Sequence, residues 1–406
     1  MISTLLEKKI AWSTAVQYFG KILQVALAVT AIKLITNYLG SEEYGTYAKI
    51  SETVLFFATM GNLGIFGNTV RQMSTHDQSD RANSVFANAL FVRIATAIPL
   101  FLIPIIIYPK VGIFFFVTAL FFEYITAICD AALQVHYLMG RATLALLLGR
   151  LTNLIAIFAL IHFNLPKDAN IFFLAPLIAT FVTASLSLYF VKQKISISWK
   201  LDPKLMKTLL LSSIPFGLIN IVNNLYFRFL PSYFAVKILQ NAEYASYNVS
   251  LHISSYAALV STFLMFSILP VLKSKPKELF EISKKILLIL GAVLIIFGSL
   301  LSPILIKLLT GKEYFIEKLW FVLPMMLILA AVSYLYDLVL INLFAFNQEK
   351  WFLKRELLAL TLAGIFFIIG WQSESIAIII LGAIAGESLM VCLGLTKVSR
   401  SVQKIR

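Results

Sequence analysis

Lys192–Lys207 reads KQKISISWKLDPKLMK, the longest polar stretch in a chain of 406 residues that is otherwise 60% apolar and only 13% charged. A water-soluble globule has no use for that much apolar surface, and a mean hydropathy of +0.88 places the chain among integral membrane proteins. Working outward from the stretch, six apolar spans precede it, at roughly 12–36, 50–70, 85–108, 112–136, 143–163 and 171–191. Six follow it, at roughly 208–234, 248–271, 286–306, 319–343, 356–371 and 375–395. An isolated strand cannot satisfy its backbone in lipid, and the near-continuous hydrophobicity lacks the alternation of a barrel strand, so each span is expected to be a helix. The expected fold is all-α: about 12 transmembrane helices in two six-helix bundles, 1–191 and 208–406, joined by a cytoplasmic linker at 192–207.

So many spans leave no room for a soluble catalytic domain, and no enzyme is expected. The first span is too long for a signal-peptide core and has no small-residue cleavage site after it, so it is expected to stay as an uncleaved helix. Cys129 and Cys392 both lie inside spans, which argues against a disulfide framework and a cysteine metal site. The 4 histidines are scattered without metal-ligand spacing, so neither a metal nor a cofactor is expected.

The net charge of +14 is a topology signal. With the amino terminus inside, 22 of the 34 Lys and Arg residues fall in inner segments, 7 in outer segments and 5 within spans. Both termini are then cytoplasmic, and nucleic acid is excluded as a partner because the basic excess is spread over seven segments.

The two halves repeat. NYLGSEEYGTYAKI from Asn37 matches KILQNAEYASYNVS from Lys237 at an offset of 200, aligning Leu39, Glu43, Tyr44 and Tyr47 with Leu239, Glu243, Tyr244 and Tyr247. CDAALQVHYLMG from Cys129 lies beside YDLVLINLFAFN from Tyr336, which pairs Asp130 with Asp337. An even number of spans per half makes the repeats parallel, an arrangement that places a substrate site between two rocking bundles.

Ionisable residues inside spans are costly and therefore candidates for a transport path. On span 1, Gln17, Lys21 and Gln24 share one helix face; on span 7, Asn220, Asn224 and Arg228 make a comparable stripe. Arg93 in span 3 and Arg150 in span 5 are further candidates, with snorkelling to the inner interface as their alternative. These residues, Gln17 apart, form the expected substrate-binding set. Among the acids, Glu123 and Asp130 share a face of span 4 with Gln134, Asp337 is the counterpart on span 10 and Glu387 lies in span 12. Their roles are either static pairing with buried bases or coupling and gating. Gly61, Gly64 and Gly67 in span 2 and Pro215 and Gly217 in span 7 permit close packing or bending.

NYLGSEEYGTY, then NLGIFGNTVRQMS from Asn62, and IAGESLM containing Glu387 give the chain a family likeness. It resembles the Wzx-type polysaccharide and O-antigen flippases of the multidrug/oligosaccharidyl-lipid/polysaccharide exporter superfamily. The resemblance implies a carrier in the bacterial inner membrane that moves an undecaprenyl-diphosphate-linked oligosaccharide from the cytoplasmic to the outer leaflet, for O-antigen or capsule assembly. It also implies a cationic central cavity, a proton or sodium gradient as coupling, membrane lipids as surroundings and a polysaccharide polymerase as candidate partner. Independently of that name, a diphosphate crossing ~30 Å of hydrocarbon needs fixed cations, and Lys21, Arg93, Arg150 and Arg228 supply them. Two alternatives stay open. One is a drug exporter of the same superfamily; the other is a polyprenyl-dependent membrane glycosyltransferase or polymerase using the outer-loop pair Glu42 and Glu43.

Overall fold

The computed structural model describes residues 2–74, 79–107, 109–136, 138–195, 201–268, 276–345 and 348–403. Among them there is no strand. The helices run α1 (Ile2–Asn62), α2 (Ile65–Ser74), α3 (Ser79–Ile107), α4 (Val111–Val135), α5 (Met139–His162), α6 (Ala169–Phe172) and α7 (Leu174–Lys192). After the linker, whose residues 196–200 lie outside the described ones, come α8 (Pro203–Asn224), a π-turn (Leu225–Phe229), α9 (Leu230–Ile238) and α10 (Asn241–Ile268). The series ends with α11 (Pro276–Leu300), α12 (Ser302–Thr310), α13 (Val322–Ala345), α14 (Glu349–Gln372) and α15 (Ile376–Gln403).

The chain is a polytopic all-α membrane protein. Eight described helices are long and apolar enough to cross a membrane, or nine if α11 and α12, bent by 71°, count as one broken span. One of the eight is a 55-residue run, Phe19–Met73, long enough for two crossings. It holds the first two expected spans on either side of Gly40, whose φ of 76° and ψ of 170° interrupt α1. The expected spans 8 and 11 fall on α10 and α14, which are 28 and 24 residues long. Large apolar side chains such as Ile106 and Leu300 are 75% and 73% exposed, as lipid-facing positions require.

The punctuation is local chemistry. Asp202 precedes Pro203 and caps α8, its Oδ1 accepting from the backbone N–H of Lys204 at 2.9 Å. Asp168 caps α6 through the N–H of Asn170 at 2.9 Å.

Two compact units emerge, the first made of Met1–Leu39 and Thr53–Asn220, the second of Gly40–Glu52 and Ile221–Arg406. In the first, α4 packs on α3 and α7, and α5 on α7, around a core that includes Ile65, Met73, Phe86, Ile128, Cys129 and Leu209. The start of α8 is tied in by Asn68, whose amide donates to the Leu209 carbonyl at 3.0 Å and the Ser212 and Ser213 hydroxyls at 2.7 and 3.0 Å. Here the break between α1 and α2 lies against α8. A Cβ on Gly217 would stand 2.5 Å from the Leu63 Cα, and one on Gly64 2.8 Å from the Gly217 nitrogen, so both positions require glycine.

In the second unit α13 packs against α10, α11 and α15, and α14 against α15. The segment Gly40–Glu52 joins this unit although it belongs to the first half of the sequence. Lys49 donates to the Asn241 side-chain carbonyl at 2.6 Å. The sequence repeat has a physical counterpart: Tyr44 and Tyr47 stack at 6.0 Å and 26°, and Tyr244 and Tyr247 at 5.7 Å and 26°.

Candidate functional site

The charged side chains of the spans gather in groups, each built within one unit. In the first unit, Lys21 of α1 is within electrostatic reach of Asp130 on α4 and Arg150 on α5. Glu123, one helical face along α4, is within reach of Arg150 and of Arg93 on α3. Three cations and two acids from four helices are thus brought together, and the sequence had marked all five. Their burial differs: Arg93 is 4% exposed with its guanidinium 4.4 Å from the Tyr124 ring centre, whereas Arg150 and Glu123 are exposed. Tyr124 is pinned by its hydroxyl, which donates to the Ala58 carbonyl, so the aromatic face under Arg93 is fixed.

In this unit the Gln24 Nε2 and the Asp130 Oδ1 are buried without a hydrogen-bond partner. Asp130 lies with Lys21 of its own unit. Of the remaining stripe on α1, the Gln17 side chain lies outside the described ones.

The second unit holds two groups that share the π-turn. Arg228 grips Glu52 in a two-pronged ion pair, Nε to Oε2 at 2.8 Å and Nη2 to Oε1 at 2.7 Å. The Asn248 amide donates to the same Oε1 at 3.3 Å, and the Tyr44 hydroxyl donates to the Asn248 side-chain carbonyl at 3.1 Å. His252, one turn beyond Asn248, is within electrostatic reach of both charges. On the same stripe Asn224 is half-buried and Asn220, the last residue of the first unit, is exposed.

The other group surrounds Glu387 on α15. Its Oε2 accepts from the Tyr226 hydroxyl at 2.9 Å and the Asn223 amide at 3.3 Å. Glu356 of α14, whose carboxyl takes the Tyr336 hydroxyl, is in electrostatic contact with it, and the two acids are 0% and 1% exposed. Gly386 lets α15 close on this turn, since a Cβ there would lie 3.1 Å from the Tyr226 ring. Asp337 stands near this group and accepts from the Ser261 hydroxyl at 2.6 Å. Glu243, the repeat partner of Glu43, does structural work: it accepts from the Gln240 N–H at 3.1 Å and pairs with Lys318.

Glu52 and Glu356 do not stand out in the sequence because each sits at the edge of its apolar stretch, where an acid reads as a boundary. The available signal was ISETVLFF, an acid with apolar residues on both sides inside a helix. Such partners decide what the site can do: three cations in the first unit with unequal exposure, one cation in the second already held by a carboxylate, and a pair of buried carboxyls. Among the described residues no cluster of three or more His, Cys, Asp or Glu could hold a metal ion.

A family model described as polysaccharide biosynthesis protein matches residues 6–274, about two thirds of the chain. No curated protein matches the sequence. Among solved structures, the lipid II flippase MurJ in an inward closed conformation is similar at a TM-score of 0.70 and 14% identity, covering 96% of this chain and 87% of that one. An inward-facing multidrug resistance transporter of the MATE family, in the MOP superfamily, is similar at 0.67 and 14%, covering 95% of each chain. A MATE transporter of Vibrio cholerae gives 0.64 and 16%, with 99% and 98% covered. At these identities the likeness is one of fold.

Proposed function

The chain belongs to the polysaccharide biosynthesis protein family, and from that membership we propose that it is a flippase for an undecaprenyl-diphosphate-linked oligosaccharide. It would carry the repeat unit from the cytoplasmic to the outer leaflet of the bacterial inner membrane, for O-antigen or capsule assembly, by alternating access between its two halves. The observation that carries the reading is that Lys21, Arg93 and Arg150, on three helices of the first unit, share the field of the same acids, while the second unit has a cation of its own in Arg228. Three cations against two acids leave the first unit's group net positive, and a diphosphate is an anion that would use the excess. Gln24, Asn220 and Asn224 are the proposed polar contacts to the headgroup and sugars.

The acids divide between two roles. Glu356 and Glu387 form the kind of buried carboxyl pair that takes up a proton or a monovalent cation, and we assign coupling to them. Glu123, Asp130 and Asp337 are assigned to gating, through Arg150, Lys21 and the Ser261 hydroxyl respectively. Both termini are cytoplasmic in this reading, and a polysaccharide polymerase takes over the product outside.

A drug exporter is the second reading, favoured by the fold shared with the MATE transporters. Deleting the gene and analysing extracted polyprenyl-linked glycans by mass spectrometry separates the possibilities. A flippase leaves completed oligosaccharide units on the inner leaflet. Shortened units would indicate a glycosyltransferase, and unchanged glycans with raised drug sensitivity an exporter.

A further inference from the structure

Arg228 is held along one edge and open along another. Its Nε and Nη2 are both given to Glu52, yet 28% of the Arg228 side chain is accessible while Glu52 is only 6% exposed. A guanidinium has five N–H donors in a rigid plane, so the grip leaves Nη1 and the outer hydrogen of Nη2 for a second acceptor. Glu52 is itself fixed. Asn248 donates to it, Tyr44 donates to Asn248, and Tyr44, 2% exposed, packs edge-on to Tyr314 at 5.8 Å. The carboxylate is therefore rigidly placed behind the cation, and the cation is presented.

We propose that Glu52 is a positioning residue that aims the open edge of Arg228 at an anionic headgroup and, as a fixed counter-charge, keeps that headgroup's binding weak enough for release. This rests on the reading of Arg228 as a headgroup ligand. A carrier must let go of its cargo on the far side, and a guanidinium that already faces a carboxylate attracts a diphosphate less than an unpaired one does. A carboxylate and a phosphate on opposite edges of one guanidinium repel across its width, which at an effective dielectric between that of a protein surface and that of bulk water weakens binding roughly tenfold. The two acceptors use different donors, so the headgroup adds to the ion pair without replacing it.

The test uses the full-length protein, with farnesyl diphosphate as the binding probe in detergent and fluorescent polyprenyl diphosphate flipping in proteoliposomes. Glu52→Gln keeps the shape and one accepted N–H bond but removes the charge. It should bind farnesyl diphosphate about tenfold more tightly and flip more slowly, a split that lost packing does not produce. Arg228→Ala should bind at least about tenfold more weakly. Weaker or unchanged binding by Glu52→Gln, with Arg228→Ala impaired, overturns the role of Glu52 and leaves Arg228 as a ligand. Unchanged binding by Arg228→Ala overturns both. If Glu52→Gln does not fold, Glu52→Asp decides: it keeps the charge but shortens the reach, so weaker binding at an unchanged melting temperature supports the proposal and unchanged affinity overturns it.

Discussion

Tyr226 and Arg228 are separated by one residue, yet the π-turn that carries them sends the tyrosine hydroxyl to Glu387 at 2.9 Å and the guanidinium to Glu52 at 2.7 Å. A regular α-helix turns two such neighbours about 200° apart on one cylinder; the wider turn additionally shifts the register of everything after it. One five-residue element thereby links the carboxyl pair on α14 and α15 to the cation offered from α9's approach.

Tyr226→Phe removes one donor from a buried carboxyl without changing the ring. The expected cost is about 1–3 kcal/mol, from leaving Glu387 short of a partner. It should appear as a lowered melting temperature in detergent. An unchanged melting temperature would mean that the hydroxyl is replaced by water.

Arg228→Ala leaves Glu52 buried and uncompensated, at about 3–5 kcal/mol. At matched membrane expression, surface glycan should be lost in Arg228→Ala and partly kept in Arg228→Lys, since charge survives there but the planar fork does not. Equal glycan in the alanine variant and the unmodified protein would remove Arg228 from the transport path.

Gly217→Ala is expected to destabilise by about 1–3 kcal/mol, because its methyl must displace the Leu63 backbone and not a flexible side chain. Gly67→Ala is the control, with nothing within 4 Å of the added carbon. Melting temperatures of the two variants should separate clearly; equal values would refute the close approach of the α1–α2 break to α8.

Lys21 and Asp130 should be coupled. In a cycle of Lys21→Met, Asp130→Asn and the double variant, thermal stabilities are expected to depart from additivity by about 0.5–3 kcal/mol. Additive effects would place the two groups outside each other's field.

Much of this architecture is legible in the sequence, because apolar runs report helices wherever lipid forbids other structure. The repeat at offset 200 and the five charged residues of the first unit are legible for the same reason, since polar residues in such runs are conspicuous. The partner of Arg228 is not. Glu52 lies 176 residues earlier, at the edge of its span, and no periodicity links positions that meet only through tertiary packing. Nor does composition announce the π-turn, since LYFRF is as compatible with an ordinary α-helix.

The placement of Gly40–Glu52 in the second unit has a consequence for synthesis. Lys49 and Glu52 emerge from the ribosome 192, 176 and 196 residues ahead of Asn241, Arg228 and Asn248, their respective partners. At about 5–20 residues per second, Glu52 waits roughly 10–35 s in or near the bilayer before its arginine exists. For that interval the nascent chain carries an uncompensated acid that the insertion machinery must shelter. A chimera that exchanges halves between relatives at the central linker would leave this short segment with a foreign partner, so it has to travel with the carboxy-terminal half.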